Sequence, residues 1–137
     1  MNIRPMRIAD YDAVYALWEN TQGMGLSDAD SRGSISRFLQ RNDGFCFVAE
    51  YEGALVGTVM CGHDGRRGYL YHAAVREDLR GQGIGKALID TALGALAAAG
   101  IQKCHAFVFA SNETGQAFWT AAGWHGREDI ALFSKNL

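Results

Sequence analysis

Apolar positions along this chain follow two periods, and the places where one gives way to the other divide it into elements. Residues 6–8 read as a short strand. From Asp10, a residue suited to capping, Val14, Leu17 and Trp18 recur at helical spacing and predict a helix over 10–18. A glycine-rich stretch at 21–27 follows, then a second helix over 30–41 with Ile35, Phe38 and Leu39 on one side, stopped by Asn42, Asp43 and Gly44. Two β-rich runs, 45–51 and 54–62, are joined by Glu52 and Gly53, a two-residue connection that closes a hairpin. A third strand over 69–75 follows the turn at 64–68.

Ile84, Leu88, Ala92 and Leu96 stand four apart, with Ile89, Leu93 and Ala97 widening the stripe, and Gly100 ends the helix predicted over 84–99. A strand over 101–110, a helix over 112–122 and a final hairpin or pair of short strands over 124–135 complete the chain. The order β-α-α-β-β-β-α-β-α-β(-β) predicts one α/β domain, residues 1–137, built on a mixed sheet of six to seven strands flanked by four helices.

Composition narrows the function classes. A 137-residue chain with 48% hydrophobic content builds one ordinary core, so all chemistry must fit on one small scaffold. With 13 Lys plus Arg against 15 Asp plus Glu and no basic block, neither a nucleic-acid partner nor a membrane surface is expected. The N-terminus has no continuous apolar segment after its basic residues, and no apolar run approaches the ~20 residues that span a bilayer, which predicts a cytoplasmic protein. Cys46, Cys61 and Cys104 lack CxxC spacing and sit in strand-like runs, the pattern of buried reduced thiols; no metal is expected.

The most informative stretch is 75–88, where a strand feeds a glycine loop that opens a helix. Amides at a helix N-terminus lack internal partners and carry partial positive charge, glycines let a phosphate come close, and Arg80 and Lys86 add formal charge. Spacing separates the families that share this logic. A dinucleotide GxGxxG starting at Gly81 requires glycine where Lys86 stands, and a phosphate loop ending in Gly85 and Lys86 requires glycine at Arg80 and Ser or Thr at Ala87. Both fail.

The pattern R-x-x-G-x-G does fit, at Arg80, Gly83 and Gly85, and here the chain resembles the GCN5-related N-acetyltransferases, which hold the pyrophosphate of coenzyme A in this loop. The run 51–58 looks like that family's second hairpin, the strand ending at Val75 like its central strand, and Asn112, Gly115, Phe118, Trp119, Gly123 and Trp124 like its later motif. The resemblance covers residue 45 to the C-terminus; before that only the layout matches.

It implies a mostly antiparallel sheet and acetyl-CoA as cosubstrate, held by backbone atoms of Ala73 and Val75 on the added-strand principle and by Arg80, Gly81, Gln82, Gly83, Ile84, Gly85 and Lys86. Asn112, also a natural helix cap, and Trp119 are implied to touch the cofactor. The implied reaction is direct attack of a primary amine, on a small molecule, amino acid or peptide, upon the thioester. The alternative is an acyl-CoA sensor or interaction domain that has lost turnover.

An amine of lysine type has a pKa near ~10.4, so a proton must leave before it attacks. Relatives with a side-chain base carry it at the positions matching Tyr69 and Tyr71, which makes these the implied catalytic residues, although tyrosine is a poor base. A water relayed by Asp64 or Glu19 is the other route. His72 is the acid–base choice on chemistry alone. Strand alternation, however, puts Tyr69, Tyr71 and Ala73 on one face and Leu70, His72 and Ala74 on the other, which predicts a structural role for His72. Where many relatives place a tyrosine that protonates the departing thiolate, this chain has Trp119, whose indole donates a hydrogen bond but gives up no proton. Family layout assigns the acceptor groove to residues 18–26, 64–67 and the segment around 127–130, with Trp18, Asp64 and Arg66 the candidate contacts, and leaves a homodimer through the last strands open.

Overall fold

The computed structural model describes residues 1–137 and divides them into two compact units, Met1–Phe107 and Val108–Leu137. The first holds a five-stranded sheet in the order β1-β2-β3-β4-β5. Its strands are β1 (Asn2–Pro5), β2 (Phe47–Tyr51), β3 (Ala54–His63), β4 (Gly68–Val75) and β5 (Cys104–Ala106), and its helices are α1 (Tyr11–Glu19), α2 (Arg32–Arg41) and α3 (Ile84–Ala98). The first four strands are antiparallel neighbours and β5 joins β4 in parallel, so the mixed, mostly antiparallel expectation holds with five strands in place of six to seven.

Adjacent residues of β3 show how the layers form. A methyl group on Gly57 would meet Leu88 at 2.9 Å and Ile84 at 3.3 Å, so this face receives α3. Thr58 accepts the indole N–H of Trp18 on the other face, which receives α1. With both faces covered, β3 is buried nearly end to end. The core beneath α1 and α2 includes Met6, Val14, Trp18, Ile35, Met60 and Ala74. Glycine sets the closeness of α3 again at Gly68, where a methyl group would lie 2.5 Å from Leu96.

Three differences from expectation have local causes. The first strand is Asn2–Pro5 instead of 6–8, because the Asp10 carboxylate accepts the Arg7 N–H at 2.8 Å and opens a 3-10 turn over Ile8–Asp10. Arg4 ties that turn to the sheet, donating to both Asp10 oxygens and to Glu50, and Pro5 is tolerated because β1 is an edge strand. The strand predicted over 101–110 shrinks to Cys104–Ala106, since pairing with β4 stops at Leu70, just before β4 bulges.

The second unit holds one helix, α4 (Glu113–Ala121), capped by Asn112 Oδ1, which accepts the Gly115 N–H at 3.0 Å. The expected hairpin over 124–135 is absent: no residue of that stretch joins a ladder, and Ile130, Leu132 and Phe133 are exposed. No helix of the chain is long and apolar enough to cross a membrane.

Candidate active site

The site is built around a break in the sheet. Thr58 pairs with Ala74 and Met60 with Tyr71, so a single residue of β3, Val59, lies opposite His72 and Ala73 of β4. The extra residue is taken up at His72, which has φ of 49°, a left-handed conformation disfavoured by about 1–2 kcal/mol in a side-chain-bearing residue. Tyr71, its neighbour, lies edge-on to Phe38 of α2 with ring centroids 6.1 Å apart, while the His72 ring lies 4.6 Å from Trp18 of α1. The bulge therefore turns His72 toward the same helical layer as Tyr71. Alternation, which separated the two, fails here, and Ala74 likewise joins the core under α1 and α2.

What holds the bulge is a polar chain through the core. Trp18 Nε1 donates to Thr58 Oγ1 at 3.0 Å, and that hydroxyl donates to the His72 carbonyl at 3.0 Å. His72 Nε2 lies 2.7 Å from Asp30 Oδ1, 42 residues away in the chain. Asp30 is buried in the 3-10 turn Asp28–Asp30, where its Oδ2 accepts the Ser27 N–H and its carbonyl accepts the Tyr11 hydroxyl. The segment between α1 and α2 is thus fastened to the bulge by one imidazole.

Beyond the bulge the edge of β4 facing β5 is open, because β5 pairs only with Gly68, Tyr69 and Leu70. That edge leads to a 3-10 turn, Glu77–Leu79, and then to the glycine loop. Gly81 and Gly83 have φ of 77° and 86°, and a methyl group on either would meet nothing within 4 Å. Gly83 is the N-cap of α3 and offers no capping side chain, so the first amides of the helix face outward uncompensated. Ile84 buries its side chain while its amide belongs to that first turn. Gln82 is exposed, as is Lys86, which reaches Asp90 at 2.6 Å. The Arg80 Nε donates to the Val75 carbonyl at 3.0 Å, bringing its guanidinium back to the end of β4. An uncapped helix start, two open left-handed glycines and nearby cations fit a pyrophosphate.

On the α2 side of the sheet, Tyr69, Tyr71 and Phe107 form a stacked row, with centroids 6.2 Å apart for Tyr69 and Phe107 and 6.1 Å for Tyr71 and Phe107. Burial, with Tyr69 and Cys104 adding to it, pushes the Tyr71 phenol up from its ordinary value, so it stays protonated at neutral pH. Trp18, expected on the acceptor wall, has no exposed surface. Asp64 is exposed, and its Oδ1 accepts the N–H groups of Arg67 and Arg66; these bonds hold the carboxyl below its usual range and make it a turn-former, not a base. Arg66 is exposed in the same turn, and Glu19 at the end of α1. In the second unit, Trp119 contacts Phe118 and Trp124, at 5.4 and 4.7 Å between centroids.

The sequence matches the model of the acetyltransferase (GNAT) family over residues 11–124. The chain belongs to that family. It is 39% identical over 113 residues to an acetyltransferase of Pectobacterium atrosepticum, covering 82% of this chain and 79% of the relative. An acetyltransferase of Sodalis glossinidius is 32% identical over 137 residues, covering 100% and 96%. Among solved structures, an aminoglycoside antibiotic 6'-N-acetyltransferase of Acinetobacter haemolyticus superposes with a TM-score of 0.80 at 18% identity, covering 100% of this chain and 99% of that one. The Ard1 protein of Thermoplasma volcanium gives 0.78 at 20% identity over 89% and 80%.

This GNAT protein is accordingly an N-acetyltransferase with acetyl-CoA as its cosubstrate. Reading the sequence singled out the glycine loop but missed Asp30 and Thr58. Neither lies in a motif, and both are brought to His72 by tertiary structure alone; by sequence Asp30 marks only a helix start.

Proposed function

We propose that residues 1–137 act as one N-acetyltransferase domain that passes the acetyl group of acetyl-CoA directly to a primary amine of a small molecule, amino acid or peptide. The observation that carries this reading is the open edge of β4 running into the uncapped start of α3. An extended arm with amide groups and a pyrophosphate at one end matches both parts of that path. Backbone atoms of Ala73 and Val75 would pair with the amides; since the Val75 carbonyl is taken by Arg80, its N–H is the group on offer. Arg80, Gly81, Gln82, Gly83, Ile84, Gly85 and Lys86 would hold the pyrophosphate. For Asn112 and Trp119 the support is the family motif.

The acetyl thioester supplies an activated carbonyl carbon. The chain's own task is to orient the amine, take its proton and meet the departing sulfur. Tyr71, protonated and stacked in the aromatic row, suits the role of proton donor to the thiolate and not that of base, with Tyr69 shaping the row beside it. The row and Phe38 offer flat apolar surface to the acceptor, and Arg66 offers a charge for an acceptor carboxylate. An amine-bearing small molecule is favoured by the fold neighbours, among them an aminoglycoside acetyltransferase from a soil metagenome in complex with sisomicin, with a TM-score of 0.76 at 20% identity.

Isothermal titration with acetyl-CoA, followed by thiol release against amino acids, polyamines, aminoglycosides and peptides, tests the proposal. Binding followed by release with at least one amine is expected. Absence of binding overturns the cofactor path, and binding without release overturns the transferase reading.

A further inference from the structure

The reaction needs a proton acceptor, and two of the expected sources do not supply one: Tyr71 is pushed toward its protonated form, and Asp64 is tied into its own turn, while Glu19 is an exposed residue at the end of α1 with no bond tying it to β4. Strand alternation alone turns His72 away from Tyr71, and the bulge removes that objection. It stands between Tyr71 and Ala73 on the open stretch of β4 and turns its ring toward the helical layer that Tyr71 also faces.

The ring is arranged as a base would be. Nε2 lies 2.7 Å from the Asp30 carboxylate, whose other oxygen is occupied by the Ser27 N–H, so the neutral imidazole carries its proton on Nε2 and keeps a lone pair on Nδ1. Nδ1 has no partner in the protein, and no buried side-chain nitrogen or oxygen of the chain lacks one, so Nδ1 is reached by solvent. The side chain as a whole is 16% exposed against 7% for Asp30: one nitrogen meets a buried carboxylate and the other opens outward. The backbone supports the same reading. A histidine held at φ of 49° by Trp18, Thr58 and Asp30 together is a strained residue that its surroundings over-determine, as strained functional residues are.

The geometry points to His72, oriented by Asp30, as the proton acceptor for the incoming amine in this acetyltransferase. The inference rests on the transferase reading above. Nδ1, directly or through one water, takes a proton from the incoming ammonium; the neutral nitrogen then attacks the thioester carbon and the C–N bond forms; the C–S bond breaks and the sulfur departs with its electron pair, to be protonated by Tyr71 or solvent, while the nitrogen sheds its second proton to solvent. The imidazolium is stabilised by Asp30 until it returns its proton to water. Asp30 does not touch the substrate and is a positioning residue.

His72→Gly and Asp30→Asn test this, glycine being the residue that adopts a positive φ without strain. Each is assayed by thiol release from acetyl-CoA with the best amine from the panel of lysine, spermidine, sisomicin and a short peptide, and by titration with acetyl-CoA. The expected result for His72→Gly is a kcat about 100-fold lower with acetyl-CoA affinity within twofold, and recovery of at least tenfold on adding free imidazole. Asp30→Asn is expected to lower kcat about tenfold with the amine KM little changed. A kcat within threefold of the parent in His72→Gly, or a loss that imidazole does not restore while acetyl-CoA still binds, overturns the role of His72. If His72→Gly does not fold, an Asp30→Asn variant with unaltered kcat overturns the pair. A parent that binds acetyl-CoA but acetylates no amine instead overturns the functional reading on which this rests.

Discussion

The hydroxyl of Thr58 donates to the carbonyl of His72 at 3.0 Å, joining a fully buried residue of β3 to the residue of β4 at which the ladder breaks. The same oxygen accepts from Trp18, so one atom serves a buried indole and a strained carbonyl. Thr58→Val keeps the shape and removes both bonds. Leaving a buried donor and acceptor unpaired costs about 1–3 kcal/mol each. Chemical denaturation should show a loss within that range or above it, together with reduced kcat; an unchanged midpoint would mean that the bulge does not depend on this hydroxyl.

Arg80→Ala combined with Gly83→Val should weaken acetyl-CoA binding at least tenfold by titration. The first change removes the guanidinium at the end of β4, and the second places a branched side chain at φ of 86°, in the open space before the first amides of α3. The circular dichroism spectrum should still show a folded protein, because both positions are exposed, with a stability cost of about 1–2 kcal/mol from valine at a left-handed φ. Undiminished affinity would remove the glycine loop from the cofactor path.

Tyr71→Phe retains the ring contacts with Phe38 and Phe107 and loses only the phenol proton. A role as proton donor to the leaving thiolate predicts a kcat reduced about tenfold or more with the acetyl-CoA KM within twofold. A change in KM alone would assign Tyr71 to acceptor binding.

Gly68→Ala should destabilise the fold without altering cofactor affinity in the surviving protein. Its methyl group would lie 2.5 Å from Leu96, and forcing α3 away from β4 costs typically about 1–3 kcal/mol. A thermal melt at or above that of the parent would show that Leu96 can turn aside.

Cysteine chemistry should track burial. Burial pushes the thiol of Cys46 up to about 11 and that of Cys61 up to about 12. Both should resist a thiol reagent at pH 8 in the native protein and react on unfolding in denaturant. Rapid native labelling at either position would indicate local opening of β2 and β3.

The sequence made α3 and its loop legible because both signals are local: a stripe at helical spacing, and glycines where the backbone turns left-handed. The interior strands were placed within a few residues for the same reason. Strand alternation misled at His72, since the rule presumes an unbroken ladder and the extra residue there is invisible in β4 alone. The hairpin expected over 124–135 is likewise absent, since a strand also requires a partner edge and Ile130, Leu132 and Phe133 have none. Asp30 was out of reach because its meaning lies in a histidine 42 positions away.

The brief pairing of β5, three residues against Gly68, Tyr69 and Leu70, leaves the sheet forked. Recognition along a fork is carried by peptide groups, which every amino acid supplies alike, so the side chains of β4 are released from that duty and can drift with the acceptor. The fold can then persist while its side chains change, as it does between this chain and structural neighbours at 18–20% identity and TM-scores near 0.8.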